Sequence, residues 1–93
     1  MVKHIVLYRF RENVDKDASV KRIASLLEPL TGRIPGLLKM EIRRAYEGMD
    51  YALYSEFETR EALVNYKNNP LHLDAKNQFF DLIDTRVAAD YDL

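Results

Sequence analysis

Residues 51–63, YALYSEFETREAL, change hydrophobic period halfway along, and that change decides the fold. Over 51–58 the chain alternates. Tyr51, Leu53, Ser55 and Phe57 fall on one face and Ala52 and Tyr54 on the other, the period-two pattern of a strand. Thr59 is suited to cap a helix N-terminus. Beyond it Ala62, Leu63 and Tyr66 mark the apolar side of a short helix. A strand that runs directly into a one-sided helix is a unit of a layered α+β domain.

Working outward, Val2 to Arg11 alternates in the same way. Val2, His4, Val6, Tyr8 and Phe10 share one face, and Lys3, Ile5, Leu7, Arg9 and Arg11 share the other. Asn13 to Asp17 supplies turn formers and acids suited to a helix start. Val20, Ile23, Ala24, Leu27, Leu30 and Ile34 then mark one side of an amphipathic helix. Pro29 conflicts with it, because an interior proline costs about 3 kcal/mol. The helix is expected to kink or tighten near Glu28. Pro35-Gly36 makes the turn out. Leu37 to Tyr46 reads as a second strand with Leu38, Met40 and Ile42 on one face, and Glu47-Gly48-Met49-Asp50 carries the glycine of a hairpin.

On the C-terminal side, Asn68-Asn69-Pro70 breaks the helix that follows Thr59. Asn69 as N-cap and Pro70 at the first helical position start another, with Ala75, Phe79, Leu82 and Ile83 as its inward stripe. Arg86 to Tyr91 closes as a fourth strand, Val87, Ala89 and Tyr91 facing one way. The order β-α-β-β-α(α)-β is that of a ferredoxin-like α+β protomer: a four-stranded antiparallel sheet with helices on one face. Ninety-three residues make this one domain, spanning 1–93.

Helices cover only one face of such a sheet, yet the first strand is apolar on both faces at its centre (Ile5 and Leu7 against Val6 and Tyr8). Leaving one Leu or Ile in water forgoes roughly 1.5–3 kcal/mol. A few of them would rival the typical stability of a whole domain, about 5–15 kcal/mol. A second copy laid against the bare face removes the problem, so a homodimer is expected, burying Ile5, Leu7 and Tyr54 or their neighbours.

Composition narrows the function. The net charge is −1 and the pI near 6.1, with basic residues interleaved among acids, which argues against nucleic acid as a partner. There is no cysteine, hence no disulfide, thiolate catalysis or Cys-based metal site. Lys3, His4 and Arg9 break the N-terminal apolar run, so it does not read as a signal peptide. No stretch approaches the roughly 20 apolar residues of a membrane span. No membrane association is expected, and the default location is cytoplasmic.

The candidate chemistry centres on His72. On a helical wheel it falls with Ala75, Phe79 and Ile83, towards the sheet and near its helix start. The positive end of the helix disfavours a cation there, so the ring should be neutral and able to accept a proton. Tyr66 ends the preceding helix on its inward side, and His4 lies on the strand face that carries Val6 and Tyr8. His4, Tyr66 and His72 can therefore converge on one cavity, with Val6, Tyr8 and Phe79 as apolar wall. A core histidine and tyrosine, hydrogen-bonded and inert, would give the same pattern. The two histidines match no metal-ligand spacing, even with Asp74 or Asp90 added, so no metal is expected. Gly32, Gly36 and Gly48 are isolated, which leaves no phosphate loop. Ser19, Ser25 and Ser55 lack a nucleophile-elbow context.

Five stretches together carry a family resemblance: MVKHIVLYRF at 1–10, IPG at 34–36, YALYSEFETREAL at 51–63, Y-x-x-N-P-x-H at 66–72 and RVAADYDL at 86–93. In this order the chain resembles the stress-responsive dimeric α/β-barrel (Dabb) family. The resemblance implies a dimeric α/β barrel in which two sheets enclose a central barrel with helices outside. It also implies kinship with a plant polyketide cyclase that needs no cofactor and uses a tyrosine and a histidine as an acid–base pair. Those two residues correspond to Tyr66 and His72, and that enzyme's strand-one histidine to His4. The family usually reads H-P-x-H, where this chain has Asn69-Pro70-Leu71-His72. Asn69 can cap a helix but cannot act as an acid or base near neutral pH. Haem-degrading relatives on the same fold use a tryptophan, and this chain has none. Two readings follow from the resemblance: a dimer binding an apolar or aromatic small molecule, with cyclase-like acid–base catalysis, or a structural dimer whose pocket is filled.

Overall fold

Strand β1, Val2–Phe10, forms the middle of the sheet in the computed structural model, which describes residues 1–93. Strand β3 (Tyr51–Phe57) pairs with one edge of β1 and strand β4 (Ile83–Asp92) with the other; strand β2 (Leu37–Arg44) lies outside β3. All neighbours are antiparallel, in the order β2-β3-β1-β4. Helices α1 (Lys16–Leu27), α2 (Arg60–Asn68) and α3 (Pro70–Asn77) connect them. Each helix starts on a side-chain cap. The Ala18, Ala62 and Leu71 amides donate to Asp15 Oδ1, Thr59 Oγ1 and Asn69 Oδ1, at 3.1, 3.0 and 2.9 Å. No helix is long and apolar enough to cross a membrane.

The core lies between the helices and one face of the sheet. Alternation along β1 buries Val2, His4, Val6, Tyr8 and Phe10 on that face, and Tyr51, Leu53, Ser55 and Phe57 of β3 join them. Val20, Ile23 and Leu27 of α1, and Leu63 and Tyr66 of α2, cover this layer. Gly36 lets α2 come close. A Cβ built there would stand 2.4 Å from the Ala62 Cβ, and its φ of +81° suits glycine as well.

Several boundaries differ from the sequence expectation, each for a local reason. Helix α1 stops at Leu27 and, as expected, the chain tightens at Glu28, where Glu28–Leu30 form a 3₁₀ turn with Pro29 inside it. Ile34 is buried from the following turn instead of from the helix. In β2 the register slips between Leu37 and Lys39, so that Leu38 bulges out and is 42% exposed; Leu37, not Leu38, shares the buried face with Met40 and Ile42. The strand ends at Arg44, two residues short of Tyr46, which is fully exposed. Helix α3 ends at Asn77. Three-residue bonds from the Gln78 amide to Ala75 O and from the Phe79 amide to Lys76 O (both 3.1 Å) break its period. Phe79, Leu82 and Ile83 therefore reach the interior from a tight turn and from the start of β4, which begins three residues before Arg86.

No helix covers the other face of the sheet. It carries Lys3, Ile5 and Leu7 of β1, paired in register with Tyr91, Ala89 and Val87 of β4. Leu7, Val87 and Tyr91 are 39%, 56% and 49% exposed. Beside them Lys3 makes an ion pair with Glu56 at 2.8 Å, and the same glutamate accepts from the Tyr54 hydroxyl.

Candidate functional site

The junction of α2 and α3 builds the site. The last carbonyls of a helix lack intrahelical donors. At the end of α2 the Lys67 carbonyl has lost the Leu71 amide, which turns to Asn69 Oδ1 instead. The His72 ring fills the vacancy: its Nδ1–H donates to Lys67 O at 3.3 Å. That bond fixes the neutral tautomer and leaves Nε2 with its lone pair. The ring lies against Tyr66, centroids 4.2 Å apart, and Tyr66 in turn packs on Phe57 at 5.1 Å.

His72 and Tyr66 line a cavity of about 550 Å³ between α2, α3 and the sheet. Of the residues singled out in the sequence, His4, Tyr8 and Phe79 line it too. Val6 does not. It is fully buried in the core, and the longer His4 and Tyr8 side chains on either side of it reach the space instead. Leu27 and Leu53 complete the apolar floor.

Burial dominates the electrostatics. It pushes the His72 imidazole below its ordinary value; the Lys67 carbonyl opposes this, while Lys76, His4 and Arg86 add to it. His72 also lies in the first turn of α3, where the helix dipole disfavours a cation. His4 is pushed down for the same first reason, burial. Its Nδ1–H donates to the carboxylate of Asp90, which partly restores its basicity. Burial raises the Tyr66 and Tyr8 hydroxyls, so both stay protonated. The cavity thus holds two imidazoles biased to the neutral form, which can accept a proton, and two protonated phenols, which can donate hydrogen bonds. No group of three His, Asp or Glu side chains is placed to hold a metal ion.

The sequence reading missed the charged members of the site. Asp90 sits opposite His4, and Arg86 opposite Tyr8, in the β1–β4 register. Lys67 and Lys76 reach the cavity from α2 and α3. Alternation along β4 hinted that Asp90 and Arg86 share a face. Which face, and opposite which residues, depends on a register that no local pattern fixes.

These features define a ferredoxin-like α+β protein with a cavity, lined by two histidines and two tyrosines, between its sheet and its shorter helices. The chain belongs to the stress-responsive A/B barrel domain (Dabb) family, whose description matches residues 2–93. It is 25% identical over 96 residues to the stress-response A/B barrel domain-containing protein HS1 of Arabidopsis thaliana, covering 97% of this chain and 87% of that one. A dimeric protein of ferredoxin-like fold from Bacteroides fragilis superposes with a TM-score of 0.89 at 28% identity, over 99% of this chain and 95% of the other. The hydroxynitrile lyase of Passiflora edulis shares the fold (TM-score 0.81, 19% identity, 97% and 90% of the two chains).

Proposed function

We propose that this protein is a homodimer that binds an apolar or aromatic small molecule in the cavity and performs cofactor-free acid–base chemistry on it. One observation carries the reading: the neutral His72 ring, tied through Nδ1 to Lys67 O and stacked on Tyr66, in a cavity of about 550 Å³. In this reading Nε2 of His72 takes a proton from a carbon next to a carbonyl. The Tyr66 hydroxyl donates a hydrogen bond to the oxygen that gains charge. The carbon then attacks a second carbonyl of the same molecule, and the new alkoxide recovers the proton from His72. The sum is an intramolecular cyclisation that needs no oxidant. The dimer follows from the exposed apolar strip on the bare face and from the dimeric state of the Bacteroides fragilis relative. A structural dimer with a filled pocket fits less well, because a cavity of this size falls in the range of ligand sites.

Titration with aromatic polyketide-like acids, followed by NMR, tests the reading. Resonances of His72 and Tyr66 should shift together. With a substrate found, His72→Ala should lower turnover about a hundredfold, the effect of losing a general base, while light scattering still shows a dimer. If His72 ignores every apolar ligand and its removal only lowers stability, the residue is structural and the proposal fails.

A further inference from the structure

Arg86 belongs to the edge strand β4 and is exposed. The β1–β4 register sets it opposite Tyr8, on the helix-covered face, and its side chain lines the cavity. Arg43, Arg44 and Arg60 each pair with a carboxylate, Glu28, Asp17 and Asp92 respectively. Arg86, like Arg9, Arg11, Arg22 and Arg33, has no carboxylate partner, but of the arginines it alone lines the cavity. Its charge acts on His4, His72, Tyr8 and Tyr51 around it.

Two more cations stand nearby. Lys76 lines the cavity without an ion pair, and the Lys67 ammonium is 3.7 Å from Asp90, the carboxylate already engaged by His4. Asp84 is the one carboxylate lining the cavity, against Lys67, Lys76 and Arg86. A chain of net charge −1 thus concentrates positive charge around this cavity. A guanidinium presents a planar fork of donors that matches a carboxylate with two parallel hydrogen bonds. Below it the walls are apolar: Leu27, Leu53, Phe79 and Ile83.

We infer that the cavity selects organic carboxylates with an apolar or aromatic body, the carboxylate seated on Arg86 with Lys76 beside it and the body against Phe79 and Leu53. The inference rests on the reading of the cavity as a small-molecule site and adds the charge of its ligand.

The test compares 2-naphthoate, ionised at neutral pH, with the neutral 2-naphthamide of nearly the same shape. Both are titrated by calorimetry or NMR into the full-length protein and its Arg86→Gln and Lys76→Gln variants. The protein should bind naphthoate at least tenfold more tightly than the amide, and added salt should erode that preference. Arg86→Gln should bring the ratio close to one without changing amide binding or the thermal midpoint, and Lys76→Gln should lower it by a smaller factor. Equal binding of both probes, unaffected by Arg86→Gln, overturns the inference and leaves the small-molecule site standing. Failure of the protein to bind either probe overturns the inference together with the reading beneath it.

Discussion

The two faces of the sheet carry similar ionisable side chains and treat them in opposite ways. On the covered face, burial is the leading influence on His4, Tyr8, Tyr51 and Tyr66, as it is on His72 above them. Every one of these groups moves towards its neutral form. On the bare face, pairing leads. Glu56 holds the Lys3 ammonium protonated well above its ordinary range, and Lys3 in turn pulls the Glu56 carboxyl down, so both move towards their charged forms. The sheet is a few ångströms thick, and β1 contributes alternate residues to both sides. What differs is the cover: within the single chain, helices exclude water from one face and leave it on the other. The covered face thus favours neutral side chains, and the bare face favours fixed charges around an apolar strip.

The largest effect that would break this comparison concerns the strip. Leu7→Lys puts an ammonium among Val87, Ala89 and Ile5, where a second sheet is proposed to lie. Burying that charge unpaired costs several kcal/mol, on the order of the effective penalty for one ion. Light scattering should show monomer or aggregate; an intact dimer of unchanged thermal midpoint would refute a sheet-to-sheet interface. A smaller effect is expected from pH. His4 and His72 titrate lower in the folded chain than the 6.5 of a free imidazole, so the unfolded state binds protons first as pH falls. Their contribution to stability is complete above pH 6.5 and is lost as pH falls through their folded values. NMR titration should find both midpoints below 6.5, and thermal midpoints should fall between pH 7 and pH 5. The smallest effect concerns Tyr51, whose hydroxyl is buried without a hydrogen-bond partner while its ring stacks on Tyr8 at 4.4 Å and on Phe10 at 5.0 Å. Tyr51→Phe keeps the stack and removes the orphan, so it should stabilise by about 1 kcal/mol. In a domain of this size that raises the thermal midpoint by roughly 4–8 °C. A loss of stability instead would mean that the covered face is wetter at this point than its packing indicates.

Much of the fold was legible in the residues because its signals are local. The alternation of Tyr51–Phe57, the caps at Thr59 and Asn69, and the break at Pro70 all act within a few positions, and the elements lie where those signals put them. The errors came where a local period was extended past its end. The wheel through His72, Phe79 and Ile83 assumed a continuous helix, yet α3 stops at Asn77. Phe79 lines the cavity all the same, because a tight turn carries it inward.

The sequence by itself determined the order of the elements, the buried faces of β1 and β3, and the placing of His72 in the first turn of its helix beside Tyr66. These follow from steric periods and from hydrogen bonds between near neighbours. Only the tertiary structure decided which charges meet the candidate side chains. Asp90 meets His4 across 86 residues of chain, and Arg86 meets Tyr8, because β4 pairs with β1 in one register. A slip of one residue would turn both side chains to the opposite face, and the sequence of β4 alone does not forbid it.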